Sequence, residues 1–429
     1  MRSPDLPRVR LEVAGMLFAT VAIAYMERGN LAAAAAGVAA GSEAGPVRLG
    51  LVFAAFGWAY TLVQIPGGWL VDRIGPRALL AGACALWSLA ALAQGFAGTF
   101  SGLLGLRLAL GALEAPVLPA CNRIATAWFP ENERASAIGF YTAGQYTGLA
   151  MLTPAIARVQ GPLGWRAVFL ATGAVGLAWA AILCAAYRDP AGSRRLSAGE
   201  REFIRAGGGW TDGDPPPIRR LAPDPADLRC VLTQRGLWGL YLGQFAASAV
   251  PWFFLTWFRT YLVAYRHFDF IEEGMFASLP FLAAVCGAVL GGVSSDFLAR
   301  RGASAAFARK APIILGLVLS ASAVGANCVS SPGAVMAFLA LSFFGSGLAS
   351  ITWVLVSLIA PRRLLGLTGG VFNFFGNLAA MVVPLVTGVI VRLGGFAPAL
   401  AFVSALALGG VLSIVLVVGR VERIEPGGA

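Results

Sequence analysis

The 429 residues are 58% hydrophobic and only 12% charged, with a formal net charge of +11, six cysteines and one histidine. A soluble globular chain carries about 25% charged residues, so this composition excludes an ordinary soluble fold and indicates a polytopic membrane protein. The positive charge does not signal nucleic-acid binding. The basic residues, all arginine except Lys310, fall in short gaps between apolar runs and not in a stripe with interleaved aromatics.

A membrane-spanning helix needs about 20 mostly apolar residues. Twelve such runs are predicted, at roughly 13–38, 48–70, 77–97, 101–127, 134–157 and 164–187, then 236–263, 270–298, 311–330, 333–360, 364–391 and 397–419. The first run has no small-residue cleavage site with a soluble domain behind it and is expected to span rather than to be a signal peptide. It carries Tyr25, Glu27 and Arg28 in "AYMERGNLA". The second carries Tyr60 and ends in "GGWLVDRIGPR", with Gly68 four residues before Asp72, followed by Arg73 and Arg77. The fourth supplies Arg107 and Glu114, two turns apart on one face, with backbones about 10 Å apart, too far for an easy direct ion pair. The fifth holds Gln145 among Gly139, Gly144 and Gly148, which read first as packing glycines.

Residues 188–235 are rich in Arg, Gly, Pro and Asp and read as a cytoplasmic linker between two six-helix halves, 1–187 and 236–429. Within it "SAGEREFIRA" predicts a short amphipathic helix at the membrane surface, with Ser197 as cap and Glu200 three residues on. In the second half come Gln244, Trp252, Trp257 and Arg259 on the seventh run, the last expected to snorkel, and then "GGVSSDFLARRG" after the eighth. That segment repeats the earlier one, with Gly292 four residues before Asp296 and Arg300 behind it. Ser350, Thr352 and Trp353 lie on the tenth run, and Asn373 and Asn377 on the eleventh, where "AAMVVP" echoes "LAMLTP" of the fifth. Two repeated halves are the plan of a transporter with its site at the midplane.

Basic residues set the orientation. With both termini cytoplasmic, 23 of the 32 fall in cytoplasmic segments and five on the opposite side, so both termini are expected inside. An ionisable side chain at a helix centre costs about 2.5–3.5 kcal/mol on insertion scales and marks a functional site by default. Glu27, Arg28, Arg107 and Glu114 are therefore expected to project toward a shared cavity. The alternative is a closed structural salt-bridge network. The polar lining offered by Tyr25, Tyr60, Gln145, Gln244, Ser350, Thr352 and Asn373 weighs against it, and Trp353 reads as a site wall. No nucleophile elbow, phosphate loop or metal spacing is present, so no enzyme activity, cofactor or metal is expected.

The glycine–aspartate–arginine pattern, its loop position and its second copy resemble the signature of the major facilitator superfamily. Stretches such as "YTLVQIPGGWLVDRIG", "LRLALGALEAPVLPACNR", "AGGGWTDGD", "ASITWVLVS" and "GLTGGVFNFFGN" are similar to its anion:cation symporter branch. The resemblance implies an all-α fold of twelve transmembrane helices. It implies a proton-coupled symporter in the lipid of a bacterial cytoplasmic (inner) membrane that imports a sugar acid anion such as D-galactonate or a close aldonate, and function as a monomer is expected. Hexuronate, glucarate or another organic anion, and an organic-anion exchanger, are the alternatives. By the resemblance Glu27, Glu114, Arg28 and Arg107 couple protons. Arg28, Tyr25, Tyr60, Gln145, Gln244, Ser350, Thr352, Trp353 and Asn373 bind substrate, and Asp72, Arg73, Arg77, Asp296 and Arg300 gate. Two departures from the family stand out: Glu27 replaces an aspartate, and Arg259 replaces a proline.

Overall fold

The computed structural model describes residues 9–41, 46–211, 224–266 and 279–424, and among them it contains helices and no strand. In lipid every backbone polar group must be satisfied within the chain, which a helix does by itself. The first half contains α1 (Val9–Gly41), α2 (Pro46–Ile74), α3 (Pro76–Gln94), α4 (Phe100–Glu114), α5 (Val117–Trp128) and α6 (Glu131–Ala186). The polar segment adds α7 (Ala198–Ala206) and α8 (Pro225–Thr233). The second half contains α9 (Arg235–Thr260), α10 (Leu279–Arg300), α11 (Ala305–Ser320), α12 (Pro332–Ala349), α13 (Trp353–Ile359), α14 (Leu365–Gly394) and α15 (Phe396–Leu412).

Among the described residues the twelve expected runs fall mainly on helix, and 270–278 of the eighth lie outside those described. Nine spans among the described residues are long and apolar enough to cross a membrane by length and composition. The other three expected runs coincide with α2, the first part of α6, and α9. α6 holds two of the runs, broken at Gly164, whose φ of 78° takes it out of the helix. Gly75 (φ 91°) and Gly302 (φ 83°) end the two copies of the repeated segment, where the chain turns through a left-handed conformation that side chains resist.

Among the runs interrupted in mid-course are the fourth and the tenth. The fourth breaks at Ala115–Pro116 between α4 and α5, where Pro116 has no N–H to continue the ladder. The tenth breaks at a 3-10 turn, Ser350–Thr352, between α12 and α13. Glu114 is the last residue of α4, and Ser350 and Thr352 lie within the 3-10 turn, so candidate site residues sit at both breaks.

The chain forms two compact units. Unit 1 comprises Met1–Glu131, Gly144–Pro223 and Arg362–Gly370, and unit 2 comprises Asn132–Ala143, Asp224–Pro361 and Val371–Ala429. Within unit 1, Leu31, Val52, Leu103 and Phe169 form an apolar cluster joining α1, α2, α4 and α6. Asn30 Nδ2 donates to Thr172 Oγ1 at 2.6 Å, and Trp179 Nε1 to Thr20 Oγ1 at 2.9 Å, which fixes α1 against the second part of α6.

Residues 188–211 of the polar segment are docked within unit 1. Ser197 Oγ accepts from Glu200 N–H at 3.2 Å, so the expected cap of α7 is present. Glu200 is fully buried and accepts from the N–H groups of Val9 and Arg10 and from the Arg10 guanidinium at 3.0 Å. It thereby caps the start of α1. Gly207 O accepts from Glu131 N–H at 2.7 Å, and Trp210 N–H donates to Ala127 O at 3.0 Å. A side chain at Gly207 would meet Pro130 at 2.1 Å, so "AGGGW" is glycine-rich because it lies flat on the α5–α6 corner. His267 and residues 212–223 and 270–278 lie outside the described residues, and the side chain of Arg259 lies outside those described.

Candidate functional site

Arg28 is the centre of the charged cluster in unit 1. Nε and Nη2 both donate to Oε2 of Glu114, at 3.2 and 3.0 Å. Its guanidinium carbon lies 4.2 Å from the ring centre of Tyr25, 4.5 Å from Tyr60 and 4.8 Å from Phe56. Cation–π contacts of this kind are worth roughly 2 kcal/mol or more when desolvated. Glu114 is fully buried, and its Oε1 has no partner among the described residues. Arg107 comes up beside the pair, with Nη2 3.5 Å from Arg28 O and its guanidinium 5.4 Å from the Phe56 ring. Its Nε and Nη1 are buried and unpartnered among the described residues. The helical spacing correctly keeps Arg107 and Glu114 from pairing with each other; it is Arg28, from another helix, that reaches Glu114.

Backbone packing holds these groups together. A Cβ at Gly111 would lie 2.3 Å from Phe56 O, so α2 and α4 touch where only glycine fits. This contact sets Phe56 and Tyr60, stacked at 5.3 Å one turn apart, beside Glu114 and Arg28.

Glu27 departs from the expected shared cavity. Its carboxylate is buried with Oε2 3.4 Å from Ser88 Oγ on α3, and Oε1 has no partner among the described residues. A Cβ at Gly176 on α6 would lie 2.3 Å from that Oε1 and 2.1 Å from Ser88 Oγ. Successive helix residues point about 100° apart. Glu27 accordingly faces α3 and α6, whereas Arg28 faces α2 and α4. Gln145 is half-buried on α6 in the same unit.

Unit 2 holds the other candidate wall residues. Gln244 Nε2 is 3.5 Å from Ser248 Oγ, beside Gly376. Asn373 is buried and its carbonyl accepts from Asn377 Nδ2 at 2.8 Å. Trp353 is buried and packs edge-on against Phe372, ring centres 4.7 Å apart. The Thr352 hydroxyl donates to Ala349 O in its own turn. Ser350 Oγ is buried without a partner among the described residues.

The two copies of the repeated segment build the same device. In unit 1, Asp72 accepts from the N–H groups of Gly366 and Leu367, both at 2.8 Å, at the start of α14, where the helix dipole favours a carboxylate. A Cβ at Gly68 would lie 2.2 Å from Gly366 O. In unit 2, Asp296 accepts from the N–H groups of Ala135 and Ser136 near the start of α6, at 3.3 and 2.6 Å. A Cβ at Gly292 would lie 2.4 Å from Ala135 O. Each aspartate also meets one buried guanidinium, Arg123 for Asp72 and Arg309 for Asp296. The partners therefore differ from those the sequence suggests. Arg73 lies over the Trp69 ring at 5.2 Å, Arg77 is half-buried and Arg300 is exposed.

Sequence reasoning missed Arg123, Arg309, Phe56, Ser88 and Gly176. A signal existed for two of them. Arg123 stands inside an apolar run, and Phe56 lies one turn before Tyr60. Arg309, Ser88 and Gly176 carry no such mark.

Comparison with known proteins agrees with this geometry. Residues 17–306 match the sequence profile of the Major Facilitator Superfamily. The chain is 48% identical over 411 residues to the D-galactonate transporter of Escherichia coli O6:H1, covering 95% of each. It is 37% identical over 420 residues to the probable galactarate/D-glucarate transporter GarP of Escherichia coli K12, covering 96% of this chain and 95% of that one. The solved proton:xylose symporter XylE superposes with a TM-score of 0.74 at 13% identity over 96% of each chain, a likeness of fold. Nine candidate spans among the described residues, a repeated glycine–aspartate segment and these relatives lead to one conclusion: the chain belongs to the major facilitator superfamily and is a multi-pass membrane transporter, not an enzyme.

Proposed function

We propose that the protein is a proton-coupled symporter that imports a sugar acid anion, D-galactonate or a close aldonate, across a bacterial inner membrane with both termini cytoplasmic. The observation that carries this reading is the Arg28–Glu114 pair inside its cage of three aromatic rings. Arg28 is a ready receptor for a carboxylate, because its planar fork matches one bidentately. Glu114 occupies that fork when no anion does.

An incoming anion that takes the fork leaves Glu114 buried without its ion-pair partner, a state that costs several kcal/mol. Uptake of a proton by Glu114 removes that cost. Anion binding and proton binding thereby favour one another. Release on the other side reverses both steps as Arg28 returns to Glu114. Glu27, facing Ser88 instead of Arg28, is a second buried carboxyl that such a cycle loads separately. In unit 1 Tyr25, Tyr60 and Gln145 are left for the hydroxyl-bearing part of the anion, and Gln244, Ser350, Thr352, Trp353 and Asn373 are the substrate-binding candidates of unit 2. Asp72 and Asp296 act as gate latches, each holding a helix start that opening must release.

One observation favours a second reading, an aldarate with a carboxylate at each end: among the described residues, Arg107 keeps two buried, unpartnered nitrogens next to Arg28. The 37% identity to a probable galactarate/D-glucarate transporter points the same way. Uptake into proteoliposomes separates the two. With an imposed pH gradient, labelled D-galactonate is expected to accumulate more than labelled galactarate. Accumulation of galactarate alone selects the second reading, and accumulation of neither rejects both.

A further inference from the structure

A cavity of about 520 Å³ opens in unit 1 where the start of α1 meets the end of α6 and the segment 187–195. Its inner wall is apolar, formed by Val13, Met16, Trp128 and Ala185. Its rim is basic, with Arg188, Arg194 and Arg195 facing a single carboxylate, Glu12. That carboxylate is taken by Arg195 at 2.8 Å. Arg188 donates only to the carbonyls of Cys184 and Tyr187, at 2.9 and 2.7 Å. Among the described residues, neither Arg188 nor Arg194 has a carboxylate at ion-pair distance. Among the described residues, two guanidinium groups without a carboxylate partner thus stand over a recess with an apolar wall.

The setting is a membrane boundary. Both flanking helices are spans by length and hydropathy, and they expose Leu11 and Ile182 beside the recess. We propose that this cavity is a site for an anionic phospholipid, its phosphate held by Arg188 and Arg194 and its acyl chains laid along Val13 and Met16. Guanidinium forks match phosphate oxygens, and basic pockets at the cytoplasmic ends of spanning helices meet the anionic leaflet. A soluble anion uses only the rim, whereas a lipid fills the recess as well and continues onto the exposed apolar faces of α1 and α6. The bound lipid bridges α1, α6 and the docked segment that begins at Arg188. The inference is independent of the transported substrate.

Native mass spectrometry of the purified full-length protein tests it. The probes are palmitoyl-oleoyl-phosphatidylglycerol, phosphatidylcholine with the same chains, and glycerol 3-phosphate as the headgroup without chains. One phosphatidylglycerol is expected to be retained in preference to phosphatidylcholine, with glycerol 3-phosphate bound far more weakly. Basic residues near a membrane surface contribute about fivefold each, so Arg188→Gln with Arg194→Gln is expected to weaken retention roughly 25-fold. Met16→Trp, which fills the recess and spares the rim, is expected to weaken it as well and serves if the double variant does not fold. Equal retention of the two lipids overturns the proposal. So does glycerol 3-phosphate binding as tightly as the lipid, or native-like retention by a folded double variant.

Discussion

Replacing Arg28 by lysine keeps the charge and removes the fork. In the structure the guanidinium makes two hydrogen bonds to one Glu114 oxygen, at 3.2 and 3.0 Å, and faces three rings at 4.2–4.8 Å. An ammonium can hydrogen-bond a carboxylate but cannot offer two parallel donors or lie flat within such a cage. One charge-assisted hydrogen bond is worth about 1.5–3 kcal/mol. A loss of about 2 kcal/mol corresponds to a ~30-fold rise in Kd. Isothermal titration of D-galactonate into purified native and Arg28→Lys protein at one pH measures it directly. Arg28→Ala is expected to bind too weakly to titrate, since the fork that receives the carboxylate is then gone. An uncharged sugar of the same size is expected to bind poorly to the native protein. If folded Arg28→Lys binds D-galactonate within about twofold of native, Arg28 does not receive the carboxylate and the proposed exchange of partners is wrong.

Glu114→Gln keeps the shape of a protonated glutamate, so exchange of labelled for unlabelled substrate is expected to survive while accumulation driven by a pH gradient is lost; full accumulation by this variant removes Glu114 from the coupling. Asp72→Asn weakens the hold on Gly366, Leu367 and Arg123, so cysteines placed on the cytoplasmic side are expected to label faster with substrate binding retained, and an unchanged labelling pattern shows that Asp72 only anchors its loop. Gly176→Ala drives a methyl into Ser88 and Glu27, and overpacking of this kind costs about 1–3 kcal/mol. Its melting temperature is expected to fall by several degrees and to recover in part when Glu27→Asp is added; no recovery means that Ser88 alone sets the clash.

The helices were readable because a membrane span writes its length and hydropathy into the sequence, and the repeated glycine–aspartate segments because spacing survives in one dimension. Pairing was harder to read. "ER" at 27–28 looks like one charged pair, but the 100° step between neighbours sends Glu27 to Ser88 and Arg28 to Glu114. That divergence follows from helix geometry and was available from the sequence. The partner of Asp72 was not. Arg73 and Arg77 are near in the chain, while Arg123 is 51 residues away and arrives only through the packing of α2 with α5. The tight contacts at Gly111 and Gly176 were equally hidden, because the 54 glycines of the chain look alike until their neighbours are known.

The docked polar segment decides where the chain tolerates being cut. Hydropathy alone treats any bond between 188 and 235 as equivalent. Yet Glu200 closes the first turn of α1, Gly207 and Trp210 bond to the α5–α6 corner, and the Trp210 ring lies 5.7 Å from the guanidinium of Arg123. Fragments meant to reassemble from two separately expressed pieces should therefore part beyond Thr211. A break upstream of Ser197 strips the first piece of its own end-cap and leaves Arg123 without its aromatic cover.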